Sequence, residues 1–326
     1  MESNLRPLTL GEILDRTAQL YRSNFLLFAG IYAVYSGVVL VVNLLQIGLN
    51  TWVIGSHPAI GLRLLSVALS LVYLLLIFIF AGAVTAAINR AVAWVHLGEP
   101  ATIRGAYKSI MPHLGRYLWL QTIVAFIIGA PFVIFCVIAG VVIAFIPGIF
   151  SGQPISNNPQ SMLLVGIVFG VFVLVMIPWV VYAILMGLRY SLAVPACVVE
   201  NIKARMAIRR SIELSKGARG RIFLLGLIVV IIGSGLGIFT QGFFVLAAIK
   251  HPGHMLPAWM QASQQICGFF TNTFLGPIFA AGITLFYYDQ RVRKEGYDIE
   301  WMMQAAGLTV PAQAAELPAA AKESQA

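Results

Sequence analysis

The residues with the most evident chemistry in this sequence are cations. The stretch KARMAIRRSIELSKGARGR, residues 203–221, carries Arg205, Arg209, Arg210, Lys216, Arg219 and Arg221, and Arg104 with Lys108 repeats the spacing in a shorter form. Basic side chains three or four residues apart share one face of a helix, and guanidinium groups pair with phosphate oxygens through two parallel hydrogen bonds. The chemistry they offer is anion contact. GARGR at 217–221 contains an RGR triplet of the kind found in minor-groove binders, but nucleic-acid binding needs a broad basic surface. Here the triplet directly precedes a long apolar run, so lipid phosphate and membrane orientation account for it and no nucleic-acid partner is expected.

Other reactive groups are sparse. The amides Asn43, Gln46, Gln121, Gln241 and Asn272 fall inside apolar runs; Gln121, Gln241 and Asn272 are the candidates for lining a polar cavity, and hydrogen bonding between helices is the alternative use. His251 and His254, in HPGH, are the one close histidine pair and have no Cys, Asp or Glu beside them, whereas a zinc site needs three or four ligands. HExxH, GxSxG and a phosphate-binding loop are absent, and no clustered carboxylate pair could share acid and base roles. No catalytic residue, metal or cofactor is expected, and the chain reads as a non-enzyme. Cys136, Cys197 and Cys267 suggest no disulfide framework.

The elements that position these groups are hydrophobic. Of 326 residues, 60% are hydrophobic and 10% charged, with a mean hydropathy of +0.88, outside the range of soluble domains. Six runs lack Asp, Glu, Lys and Arg: 25–49, 64–88, 118–146, 162–188, 222–249 and 266–288. Each exceeds the roughly 20 residues a helix needs to cross the hydrocarbon, and their unbroken apolarity excludes the alternation of a transmembrane barrel. The expected fold is all-α and polytopic, one membrane domain over 1–303 with six transmembrane helices, followed by a disordered tail at 304–326 that is rich in Ala, Pro and Gln. Pro131, Pro178 and Pro277 lie inside runs and predict kinks.

Lys and Arg distribute unevenly between the two sides. Nineteen fall in the N-terminal segment, the 89–117 and 189–221 loops and the C-terminal tail, against Arg63 and Lys250 on the other side. The positive-inside rule then places both termini in the cytoplasm. All twelve acidic residues share that side, so the pI of about 9.7 is mostly an orientation signal. The opening residues are polar and the first run is too long for a signal peptide.

Three segments that precede the first, third and fifth runs look alike: LTLGEILDRTAQLYRSNFLLF, ATIRGAYKSIMPHLGRYLWL and KARMAIRRSIELSKGARGRIFLL. At 100° per residue, Leu10, Ile13, Leu14, Thr17, Leu20 and Tyr21 share one side of the first. Ile103, Ala106, Tyr107, Ile110 and Met111 do so in the second, and Ala204, Ala207, Ile208, Ile212 and Leu214 in the third, each opposite a charged face. Thr9 with Glu12 fits a capping box. With Asn24, Arg116 and Arg221 as corner residues, the chain reads as three parallel repeats, each an interfacial amphipathic helix followed by a transmembrane hairpin. The apolar faces are expected to meet acyl chains and the basic faces lipid phosphates.

Four stretches in order, LRPLTLGEILDRTAQLYRSNF (5–25), INRAVAWVHLGEPATIRGAY (88–107), RYSLAVPACVVENIKARMAIRRSIELSKG (189–217) and FYYDQRVRKEGYDIEW (286–301), resemble the glycerophosphoryl diester phosphodiesterase membrane domain of bacterial proteins. In phosphodiesterases that carry this domain, hydrolysis belongs to a separate metal-dependent barrel, for which this chain has no segment. The resemblance therefore implies a stand-alone membrane domain and supplies no catalytic residue. The resulting expectation is a bacterial inner-membrane protein, a scaffold whose cytoplasmic helices engage anionic lipid headgroups or a protein partner. The alternative is a permeation path for a lipid-like or small neutral solute. Arg104, Lys108, Arg205, Arg209, Arg210, Lys216, Arg219 and Arg221 are the expected contacts to a headgroup or a partner, with setting the membrane orientation alone as their alternative role.

Overall fold

The computed structural model describes residues 7–55, 60–144, 159–250 and 257–296. The described residues form ten α-helices and no strands: α1 Leu10–Ser23, α2 Phe25–Gly55, α3 Ile60–His96, α4 Ile103–Ile110, α5 Leu114–Ala144, α6 Pro159–Tyr190, α7 Ala193–Val199, α8 Ala204–Ser215, α9 Arg219–Lys250 and α10 Ala258–Glu295. α2, α3, α5, α6, α9 and α10 are long and apolar enough to cross a membrane. Their apolar runs force helices because only intrahelical bonding satisfies every backbone group in hydrocarbon. At 31 residues, α2 and α5 are each about 46 Å long, more than the roughly 30 Å hydrocarbon layer, so their ends project beyond it. Pro131, Pro178 and Pro277 are accommodated inside α5, α6 and α10. The expected tail, His251 and His254 lie outside the described residues.

The short helices gather at one end of the bundle, against the ends of α3, α5 and α10, and form a lobe. α1 opens with the capping box: Glu12 N–H donates to Thr9 Oγ1 at 3.3 Å, and Thr9 N–H to Glu12 Oε2 at 2.6 Å. Ile13, Thr17 and Leu20 are buried, as are Ala106 and Ile110 on α4 and Ala204, Ala207 and Leu214 on α8. These faces pack on protein, principally the lobe ends of the long helices, which corrects the expectation that they meet acyl chains. Ser211 and Ser215 share the buried face of α8 because both donate to the Arg189 carbonyl, at 2.9 and 3.3 Å. The second surface helix is shorter than its periodicity suggests. It stops at Ile110, a 3-10 turn with Pro112 follows, and Met111 is exposed. Arg116 and Arg221 consequently lie within α5 and α9, whereas Asn24 caps α1.

The core sits in and beside this lobe. Buried small residues line the region where α3 and α10 pack, Ala83, Ala86, Ala87, Ala91 and Ala93 on one and Ala280 and Ala281 on the other, whereas Gly282 of α10 faces Leu225 of α9 and Thr17 of α1. Asn89 of α3 accepts the Thr284 hydroxyl of α10 at 2.5 Å within that seam. Away from the lobe the spans expose their apolar surface, with Phe126, Leu174, Ile238 and Phe239 each more than two thirds accessible. In water such a surface would be strongly unfavourable; a lipid environment matches it.

Candidate functional site

The lobe is assembled around two carboxylate clusters. Asp289, with its side chain fully buried, lies near the end of α10 and pairs with Arg293 at 3.0 Å and Arg221 at 3.3 Å. Its Oδ1 also accepts the Leu8 N–H at 2.7 Å, while Arg221 and Arg293 both donate to the Leu8 carbonyl. One acid and two arginines thereby fasten the start of α1 to α9 and α10. In the second cluster Arg210 of α8 bridges Glu200 at 3.0 Å and Glu295 at 2.6 Å, and Tyr287 donates to Glu200 at 2.6 Å. Burial works against the charge on Arg210, but the hydrogen bonds and charges of Glu200 and Glu295 outweigh it and hold the guanidinium pKa above its ordinary value.

Local backbone geometry supports the second cluster. Glu200 caps the C-terminus of α7, and Asn201 takes a left-handed conformation, φ +54°, to turn the chain towards α8. Arg116 holds that turn by donating to the Asn201 carbonyl at 3.0 Å and to its side-chain oxygen at 2.6 Å. Lys294 donates to the carbonyls of Glu213 and Lys216 at 2.6 and 2.8 Å, placing a cation at the negative end of the α8 dipole.

The eight basic residues singled out by spacing divide into three groups. Arg104 and Lys108 on α4, Arg205 and Arg209 on α8, and Lys216 after it are exposed. Their charged groups have no hydrogen-bond or ion-pair partner among the described residues. Arg210 and Arg221 are tied into the two clusters. Arg219 is half-buried, its Nε without a hydrogen-bond partner. Spacing alone had not singled out Glu200 or Asp289. The signal for Asp289 was its position directly after the last apolar run, in FYYDQRVRKE, where a carboxylate at the membrane edge calls for a cation.

The three amides do not converge. Asn272 lines a cleft between α2 and α10. Gln241 of α9 donates to the Gln264 carbonyl at 3.4 Å and borders an open apolar groove formed by α9 alone. Gln121 of α5 lies against Gly82 of α3. A central cavity shared by these three side chains is therefore not present.

A family described as a domain of unknown function, DUF7847, matches residues 8–290, from the anchored start of α1 to the last turns of α10. No curated protein and no solved structure matches the chain.

Proposed function

Because this chain belongs to the DUF7847 family, whose function is unassigned, we propose a function from its own surface: a non-enzymatic membrane scaffold whose lobe engages anionic lipid headgroups. One observation carries this reading. Arg104, Lys108, Arg205, Arg209 and Lys216 are exposed and unpaired among the described residues, while Asp289, Glu200 and Glu295 are committed to Arg221, Arg293 and Arg210. Internal pairing of these acids leaves basic charge on the outside of the lobe, beside the membrane boundary. Each such cation near an anionic leaflet contributes about 1 kcal/mol.

In this reading the lobe is cytoplasmic, both termini included, and the membrane is a bacterial inner membrane. α1, α4 and α8 are interfacial helices of three parallel units, each leading into two spans. Nineteen of 21 basic residues on one side support that orientation. The kinship of 5–25, 88–107, 189–217 and 286–301 with the phosphodiesterase membrane domain, which the family match does not carry, belongs to the same proposal, as does a role without chemistry of its own.

Native mass spectrometry of the full chain released from nanodiscs of mixed phosphatidylglycerol and phosphatidylcholine tests the proposal. Phosphatidylglycerol should be retained preferentially at a defined stoichiometry. Combining Arg104→Gln, Lys108→Gln, Arg205→Gln and Arg209→Gln should reduce that preference at least tenfold. Equal retention of both lipids, or an unchanged preference in the variant, would leave these residues as orientation signals only.

A further inference from the structure

Between the apolar spans, α2 and α10 border a half-open cleft of about 160 Å³ whose lining mixes polar and apolar side chains, with Tyr35 and Gln265 half-buried and Asn272 exposed at its edge. Tyr35, Ser36 and Asn43 face it from α2, and Gln265, Gly268 and Asn272 from α10, with Val39, Leu40 and Phe269 completing the wall. The spacings 35, 36, 39, 40, 43 and 265, 268, 269, 272 each describe one helix face, so the two faces are matched over roughly 12 Å of axis at 1.5 Å per residue. At about 30 Å³ per water, the space would accommodate around five waters or a small organic molecule.

Hydrogen bonding leaves polar capacity open around the cleft. Asn43 donates to Gln265 Oε1 at 3.0 Å and accepts from Tyr73 at 2.7 Å, which commits one of its two N–H groups and its oxygen. Ser36 and Thr273 hold one another at 2.6 Å. Asn272 donates one of its two amide N–H groups to the Gly268 carbonyl at 3.0 Å. Asn272 Oδ1, Gln265 Nε2 and the Tyr35 hydroxyl remain without partners among the described residues. A polar group left unsatisfied in hydrocarbon is strongly unfavourable, so a region with an open amide oxygen, open amide N–H groups and a hydroxyl favours an occupant that both accepts and donates. The lining contains no Asp, Glu, Lys, Arg or His, and a charged occupant would be desolvated without a counter-ion.

We infer that the α2–α10 cleft is a binding site for a small uncharged polyol, held by Tyr35, Gln265 and Asn272. Adjacent hydroxyls supply donor and acceptor together and match the open Tyr35 hydroxyl, Gln265 Nε2 and Asn272 Oδ1. Towards the lobe the cleft ends: the Ser36–Thr273 pair closes it, and beyond that pair the Tyr32 ring lies so close to Gly276 that a Cβ there would overlap it. The cleft is consequently a closed-ended site and not a through-path. It is separate from the basic lobe surface, which lies beyond the start of α2, whereas the cleft residues lie around the middle of that helix.

Saturation-transfer NMR of the full chain in phosphatidylcholine nanodiscs, with glycerol and erythritol as probes and glycerol 3-phosphate as the charged control, tests the inference. Both neutral polyols should give saturable transfer, and the phosphate should give none. Tyr35→Phe combined with Asn272→Leu should cut the polyol signal at least fivefold while the protein keeps its fold, since neither replaced polar group bonds across the helix pair. No signal from the wild type above that of empty nanodiscs would overturn the inference, as water alone would then fill the cleft. Equal signal from the double variant, or equal transfer to the charged control, would overturn it as well. Repeating the titration in phosphatidylglycerol nanodiscs separates the sources of the hydroxyls. Suppression of the free polyol signal supports a glycerol headgroup as the natural occupant, and an undiminished signal supports a free solute.

Discussion

At the scale of single residues, the same side chain serves opposite ends according to its partners. Arg209 and Arg210 are neighbours in sequence, yet one is exposed and unpaired while the other bridges Glu200 and Glu295. The first can meet a phosphate; the second holds α8 to α7 and α10. Asp289 ties three parts of the assembly together, because its carboxylate is fully buried and receives two guanidiniums and a backbone N–H. Breaking a buried pair leaves charge uncompensated, at 3–5 kcal/mol where both partners are buried. Arg221 and Arg293 are about one third exposed, and solvent offsets part of their loss, so Asp289→Asn should destabilise the protein by roughly 2 kcal/mol. Thermal unfolding in nanodiscs would show a lowered midpoint, with faster hydrogen exchange confined first to α1. An unchanged midpoint would mean that packing alone anchors the N-terminal helix.

At the scale of elements, the periodicity of α1, α4 and α8 was legible, but what their apolar faces meet was not. A helical wheel reports that one side is apolar; it does not distinguish acyl chains from the end of another helix, since both are hydrocarbon. Ser211 and Ser215 on the buried face of α8 illustrate the difference, because the Arg189 carbonyl that satisfies them belongs to α6. The contact of α2 with α10 makes the same point. Gly276 looks unremarkable in sequence, yet the Tyr32 ring occupies the place of its missing Cβ. Gly276→Ala should destabilise the bundle by about 1–3 kcal/mol through overpacking, and adding Tyr32→Ala should recover most of that loss. A thermal-midpoint double-mutant cycle checks the coupling; additive effects would show that the two residues do not share the contact.

At the scale of the whole molecule, the lobe and the spans answer to different solvents. The lobe end concentrates charge and buried polar bonds, whereas the far spans expose apolar side chains. If the basic surface attracts headgroups electrostatically, screening should weaken it: the Debye length falls from about 10 Å at 0.1 M salt to 3 Å at 1 M. Lipid preference measured by exchange between nanodiscs should therefore decline over that range, while the thermal midpoint set by the buried Asp289 cluster changes little. A preference insensitive to salt would point to shape or acyl-chain packing instead of charge.

The apolar runs alone determined that the described residues are helical, without strands, and include six segments able to cross a membrane, because a run of apolar residues beyond about 20 has few other stable conformations in lipid. Local periodicity also determined the existence of α1, α4 and α8, and the capping box at Thr9 and Glu12, since both depend on residues within two turns of one another. Only the tertiary structure decided which arginines are spent internally, that Gln121, Gln241 and Asn272 face separate surroundings, and that Tyr35, Gln265 and Asn272 border one cleft. The cleft joins residues some 230 positions apart, Tyr35 with Gln265. No local pattern encodes such a meeting; it follows from how two apolar helices pack, where small residues permit close approach and the remaining space is left to polar groups.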